Sequence, residues 1–239
     1  MKKSVKNILL ALGLIILLIL IYCATVIIKA RIDTPRIIQK ALHAGNIALK
    51  VSDLSPWQVH ALLAVEDPSF YHHHGVDLKT PGQGITTITQ GLVKIYYFDH
   101  FKPGLAKLKQ TLIARYALDP LVSKDDQLTL FINNVYLGNV AGKMVIGFTK
   151  AAQTYYHKPF HKLSQDEYLS IVAMIIVPRN FHIFNRPDVN AERTKRIRKV
   201  VSGEYKPKEL MDIYYGPLDK ETQQGLPPAS YFPSIYKNK

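Results

Sequence analysis

The hydrophobic positions of this chain fall into two regimes. From Ile8 to Ile28 they form a continuous run, "ILLALGLIILLILIYCATVII", without a charge. As an α-helix rising ~1.5 Å per residue, the run reaches roughly 30 Å, which matches a bilayer core. Lys2, Lys3 and Lys6 precede it, and Lys29 and Arg31 follow. With the α-amino group added, the N-terminal side is the more positive. This predicts a single-pass anchor with its N-terminus in the cytoplasm and the rest of the chain outside. The run exceeds a usual signal-peptide core and no small-x-small cleavage site follows it, so a retained anchor is expected rather than a cleaved leader. The expected organisation is a cytoplasmic tail (1–6), an anchor (7–28) and a basic connector (29–49) with a short helical pattern around Ile37 to Ala48.

Beyond the connector the apolar positions become periodic, with helix punctuation between them. "SPWQVHALLAVED" has Ser55 as N-cap and Pro56 at the first helical position, with Trp57, Leu62 and Val65 near helical spacing. Glu66 closes that helix. There it would face the negative end of the macrodipole, which disfavours its ionised form and raises its pKa. Pro81, Gly82 and Gly84 mark a loop before "ITTITQGLVKIYYF", and "DHFKPG" marks another before a helix from about Leu105 to Leu118. Ser123 with Asp126 caps "SKDDQLTLFINNVYLGN", and "GFTKAAQTYYHKPF" is helical up to Pro159. Ser164 and Glu167 form a full capping box before an apolar helix stopped by Pro178. "DVNAERTKRIRKVVSG" is a last basic helix with Gly203 past its end. Alternating strand patterns are scarce, so the extracytoplasmic part reads as mostly α, with an irregular Pro- and Tyr-rich tail over 205–239.

Charge and composition narrow the chemistry. The 239 residues carry a formal net charge of +13, which favours an anionic partner. Nucleic acid is disfavoured because the basic part is expected outside the cytoplasm. Cys23 is the sole cysteine, so no intramolecular disulfide and no multi-cysteine zinc site can form. His72, His73 and His74 are adjacent in sequence, and adjacent side chains rarely converge on one ion. No HExxH spacing accompanies them, so no metal site is assigned. "GITTITQ" lacks the Walker A pattern. Glu66 is the leading candidate for proton transfer, against the plainer reading of a solvated helix-end acid.

Taken in order, four segments resemble one family. "EDPSFYHHHGVD" is similar to the Glu-Asp-x-x-Phe-x-x-His-x-Gly motif of the family 51 peptidoglycan glycosyltransferases. "GITTITQGLVK" resembles that family's Gly-Gly-Ser-Thr-Ile-Thr-Gln-Gln-Leu-x-Lys. "SKDDQLTLFINNVYLGN" and the stretch from "GFTKAAQTYYHKPF" to "FNRP" resemble its later segments. The likeness spans roughly residues 50 to 200, and 50–204 is the expected domain. No transpeptidase Ser-x-x-Lys domain follows, so the monofunctional form is the one resembled.

The resemblance implies a mostly helical, lysozyme-like fold with two lobes and a cleft near the membrane. It implies polymerisation of lipid II with inversion at the donor anomeric carbon. Glu66 matches the general base that takes the proton of the acceptor 4-hydroxyl, and Lys94 matches the lysine that neutralises the departing lipid pyrophosphate. Thr86, Thr87 and Gln90 match polar positions of the second motif, His73 matches the histidine of the first, and Lys102 lies near a second basic position. Implied partners are lipid II, the growing glycan chain, the membrane and cell-wall synthesis proteins. The chain departs from the family where an Arg-Lys-x-x-Glu motif is expected. Here Ala106 and Gln110 replace arginine and glutamate, while Lys107 remains. A glutamine holds no cation by charge, which leaves a divalent ion in doubt and no cofactor assigned. The segment from Asp77 to Gly84 is short, and Ile85, Gly91, Ile95 and His157 replace a glycine, a glutamine, an asparagine and a glycine. Three readings therefore stand: an active divergent polymerase, a non-catalytic relative that binds lipid-linked glycan, and a glycan-cleaving enzyme with a lone glutamate.

Overall fold

The computed structural model describes residues 2–45, 47–102 and 104–218. Helix α1 (Lys2–Leu42) runs unbroken from the anchor well into the expected connector, with Pro35 inside it. Its last turns are not free-standing. Ala30, Thr34 and Ile38, spaced i, i+4, i+8, are buried as one stripe against the domain. The Thr34 hydroxyl bonds the Ala30 carbonyl and meets the Tyr97 hydroxyl, each at 2.6 Å. Arg31 donates to the Tyr116 carbonyl at 2.7 Å. Tertiary packing thus carries the helix past the boundary the charge pattern suggested. The helical pattern expected as far as Ala48 ends at Leu42. Residues 47–50 lie outside any helix or strand and are stitched to the domain by Asn133, which accepts from Ala48 and Leu49 and donates back to the Leu49 carbonyl.

The domain is mostly α. Helix α2 (Pro56–Glu66) starts with a capping box between Ser55 and Gln58, and α3 (Ile88–Tyr97) with one between Thr87 and Gln90. Helix α4 (Leu105–Ile113) continues through a π-helical stretch, Ala114–Leu118, into the short α5 (Asp119–Leu121). Helix α6 (Lys124–Asn134) is buried on nearly every face. An antiparallel hairpin follows, β1 (Tyr136–Val140) and β2 (Lys143–Ile146), joined at Ala141 and Gly142, both at positive φ. Four and five residues with a turn between them are too short to show a period of two, so the pattern of apolar positions did not reveal it.

Helices α7 (Phe148–Tyr156), α8 (Gln165–Met174) and α9 (Pro187–Val201) complete the second lobe. Phe148, Phe160 and Tyr168 pack their rings together at its centre, and the buried Tyr168 donates its hydroxyl to the Gln58 carbonyl of α2. This is the mostly α, lysozyme-like architecture the resemblance implied, with an N-terminal helix long and apolar enough to cross a membrane. Of the 205–239 tail, residues 205–218 are described and packed on the domain, and 219–239 lie outside the described residues.

Two further helix ends differ from expectation. Helix α8 ends at Met174, short of Pro178. Helix α7 ends at Tyr156, before Pro159, because His157 adopts the left-handed conformation at φ 55° and folds its N–H back onto the last turn. A side chain at such a position costs roughly 1 kcal/mol that glycine avoids. His157→Gly is expected to raise the unfolding free energy by about 0.5–1 kcal/mol. Denaturant melts of the detergent-solubilised domain check this; equal or lower stability would show that His157 makes a compensating contact.

Candidate functional site

The site is built where α2 ends and α3 begins. Asp67, the residue after α2, is fully buried. Its carboxylate accepts from the Ile88 backbone N–H at 2.9 Å, at the first turn of α3, and meets His73 Nε2 at 2.9 and 3.1 Å. This clamp leaves the neighbouring Glu66 pointing into a cleft of about 640 Å³ that Lys94, Lys107, Arg193 and His182 also line.

Burial pushes the Glu66 carboxyl from an ordinary carboxylate value up to about 7, with Asp67 adding to the rise and the guanidinium of Arg193 opposing it. Enclosure by the cleft walls is thus the leading cause of the rise that the helix-end position suggested. Glu66 keeps some surface open to the cleft, so a solute can reach it.

Also on the lining, Lys94 projects from α3 with its ammonium 4.9 Å from the centre of the Phe101 ring. Burial, and then the nearby Lys107, lower its pKa to about 8. Lys107 of α4 donates to the Ile85 carbonyl at 2.9 Å and to the Thr86 hydroxyl at 3.2 Å, and burial lowers its pKa too. Two partly desolvated ammonium groups on one wall repel each other. An anion between them would relieve both the repulsion and the desolvation.

The remaining expected substrate contacts sort differently. Thr86 lines the cleft. Thr87 also lines it, but its hydroxyl is committed: it donates to the Gly75 carbonyl at 2.8 Å and accepts from Gln90 N–H as the N-cap of α3. Gln90 is buried, and its amide bridges Thr87 N–H to the Thr111 hydroxyl. His73 sits behind Asp67, away from the cleft, because the buried carboxylate takes its ring nitrogen. His74 turns outward beside Asp119. Lys102 is exposed and outside the lining. Gln110 is fully buried between α4 and α3, donating to the Gln90 carbonyl at 2.6 Å. It does not face the cleft either. So His73, Gln90, Gln110 and the Thr87 hydroxyl brace the site, where direct contact with substrate was expected. Among the described residues no group of three or more His, Cys, Asp or Glu side chains could hold a metal ion.

Arg193 was missed. It lies on α9, fully enclosed, with Nε donating to the Ala173 carbonyl at 3.1 Å and a terminal nitrogen to the Ile213 carbonyl at 3.0 Å. Phe181, Tyr214 and Tyr215 surround its guanidinium at 5.0 to 5.7 Å from their ring centres. A signal existed: Asn190, Arg193 and Ile197 share the buried stripe of α9. A charge at such a position points to a task.

A family model described as transglycosylase matches residues 36–202, more than two thirds of the chain. The chain belongs to the transglycosylase family. It is 30% identical over 158 residues to penicillin-binding protein 1A of Pseudomonas aeruginosa, covering 61% of this chain and 19% of that protein. It is 33% identical over 156 residues to penicillin-binding protein 1F of Bacillus subtilis, covering 59% and 21%. With penicillin-binding protein 1B of Buchnera aphidicola it shares 28% over 189 residues, covering 74% and 24%. This transglycosylase chain therefore spans about a fifth to a quarter of the length of those relatives.

Because the folded-state pKa of Glu66 is raised, its ionisation opposes folding: the cost is absent below the ordinary carboxylate value, grows as pH rises toward about 7, and is full above it. Glu66→Gln is expected to be more stable than the parent transglycosylase at pH 9, by up to about 3 kcal/mol. The difference should shrink toward zero by pH 4–5. Denaturant unfolding across that pH range checks it, and a pH-independent difference would refute the buried-carboxylate account.

Proposed function

We propose that this chain is a membrane-anchored peptidoglycan glycosyltransferase that polymerises lipid II. Glu66 acts as general base and takes the proton of the acceptor 4-hydroxyl. The hydroxyl oxygen attacks the donor anomeric carbon, the new glycosidic bond forms with inversion, and the bond to the lipid pyrophosphate breaks. Lys94 and Lys107 meet the charge that builds on that leaving group, and Thr86 hydrogen-bonds it. Undecaprenyl pyrophosphate leaves with the electron pair, and the proton stays on Glu66 until water removes it.

One observation carries the reading: a carboxylate with a raised pKa and a pair of desolvated lysines line the same cleft. A base titrating near the working pH combines basicity with occupancy of the ionised form. Preorganised cations in a partly dry cleft act on the transition state without reorganising. The membrane-length helix supports an anchor at the surface where a lipid-linked substrate resides, with the N-terminus cytoplasmic and the cleft outside. Lipid II, the nascent glycan and cell-wall synthesis proteins are the partners this reading implies. Gln110 supports the competing reading of a non-catalytic glycan-binding relative, since no carboxylate stands at that position.

The deciding assay supplies purified lipid II to the detergent-solubilised protein and resolves products by size. Glycan ladders are expected, with Glu66→Gln lowering the rate about 10²–10⁴-fold and Lys94→Ala about 10²–10³-fold. Binding without ladders would favour the non-catalytic relative, and shortening of preformed glycan a lytic enzyme.

For kcat/KM, an acidic limb near 7 is expected as Glu66 ionises, and a basic limb near 8 as Lys94 loses its proton. A flat profile from pH 6 to 9 would remove both residues from these roles.

A further inference from the structure

The family match ends at residue 202, yet the cleft does not. Past α9 the chain turns back over the connection between α2 and α3. Gly82 N–H donates to the Glu209 carbonyl at 2.9 Å and Gly84 N–H to the Leu210 carbonyl at 2.8 Å. Both glycines stand at positive φ, and a Cβ on Gly82 would come within 2.8 Å of the Pro207 ring, one on Gly84 within 3.3 Å of Ile213. The two positions thus admit the returning segment and shape the loop beneath it.

The segment is tied down along its length. Asp212 accepts from the Tyr205 hydroxyl at 2.7 Å and from Lys208 N–H at 3.0 Å, closing a bend. The Ile213 carbonyl holds Arg193, and the buried Tyr215 donates its hydroxyl to the Val65 carbonyl, one residue before Glu66. Two side chains are left to the cleft, Met211 and Ile213. Met211 is 52% exposed, so it is not held by the core, and it stands on the same lining as Glu66 and Lys94. An apolar, adaptable thioether on a cleft wall is a contact surface awaiting a partner.

We propose that the segment from Pro207 to Tyr215 is a substrate-contacting wall of the cleft, with Met211 and Ile213 packing against the C–H face of the sugar ring next to Glu66. This rests on the glycosyltransferase reading above and extends it to residues beyond the family match. The loop the segment holds also holds the Glu66 end of the cleft: Gln83 of that loop donates to the Glu66 carbonyl at 3.5 Å. The pyrophosphate belongs at Lys94 and Lys107, so the ring beside Glu66 is the part of the substrate within the segment's reach.

The test titrates the full chain in detergent with lipid II carrying a fluorescent label on its peptide, and reads anisotropy. Met211→Ala is expected to weaken binding about three- to tenfold with an unchanged melting temperature. Competition by inorganic pyrophosphate should be unaltered, since its lysines are untouched. Ile213→Ala should act in the same direction, and Lys208→Ala, outside the cleft lining, should bind like the parent. If Met211→Ala and Ile213→Ala both bind as tightly as the parent, the wall does not touch substrate and the inference falls. A parent chain that binds lipid II but forms no ladders sinks the polymerase reading alone, because the affinities still report on the wall. A parent chain that fails to bind lipid II sinks both.

Discussion

Asp67 holds two elements with one buried carboxylate. It takes the first backbone N–H of α3 and the ring of His73, and it directly follows the last residue of α2. An unpaired charge in that position would be expensive, so the two partners effectively fix the angle at which α3 leaves α2. That angle decides that Glu66, at the end of one helix, and Lys94, on the other, look into a common cleft. The capping box of Thr87 and Gln90, and the bond from Gln110 to the Gln90 carbonyl, stiffen the same corner from behind. Much of the polar residue pattern around the cleft therefore serves geometry, and few of those groups are free to meet a ligand.

Electrostatics of the cleft follow from the same enclosure. Protein walls around Glu66 raise its pKa, and protein around Lys94 and Lys107 lowers theirs. Each group is pushed toward its neutral form by the loss of water, and each is brought nearer to neutrality of the surrounding medium as a result. Arg193 limits the effect on Glu66, held in place by carbonyls from α8 and from the returning C-terminal segment. The acid, its counter-cation and the lysine pair thus come from four separate stretches of chain.

Local chemistry was readable where it was local. Ser55, Ser123 and Ser164 cap the helices that Pro56 after the first and the spacing to Asp126 and Glu167 in the other two foretold. The apolar run near the N-terminus is a helix of membrane length. Glu66 at the end of α2 and Lys94 on α3 were legible from motif order, and both line the cleft. His73, Gln90 and Gln110 looked like substrate contacts because motif position does not say which way a side chain faces. His73 Nε2 is turned to Asp67, Gln90 Nε2 to Thr111 and Gln110 Nε2 to the Gln90 carbonyl. His157 and the Ala141–Gly142 turn take left-handed backbone conformations that neither histidine nor alanine advertises.

By itself, the sequence determined the helical class, several helix starts and the membrane-length segment, because caps, periodicity and charge act within a few residues of where they are written; Glu66 and Lys94 were singled out by motif order. Only the tertiary structure decided that α1 continues to Leu42 on a buried stripe, that burial is the leading cause of the raised Glu66 pKa, that Arg193 acts on it, and that residues past 202 line the cleft. Each of these depends on contacts between segments far apart in the chain. The free energy of such contacts comes from excluding water between surfaces, and no short stretch of sequence records which surface will arrive to exclude it.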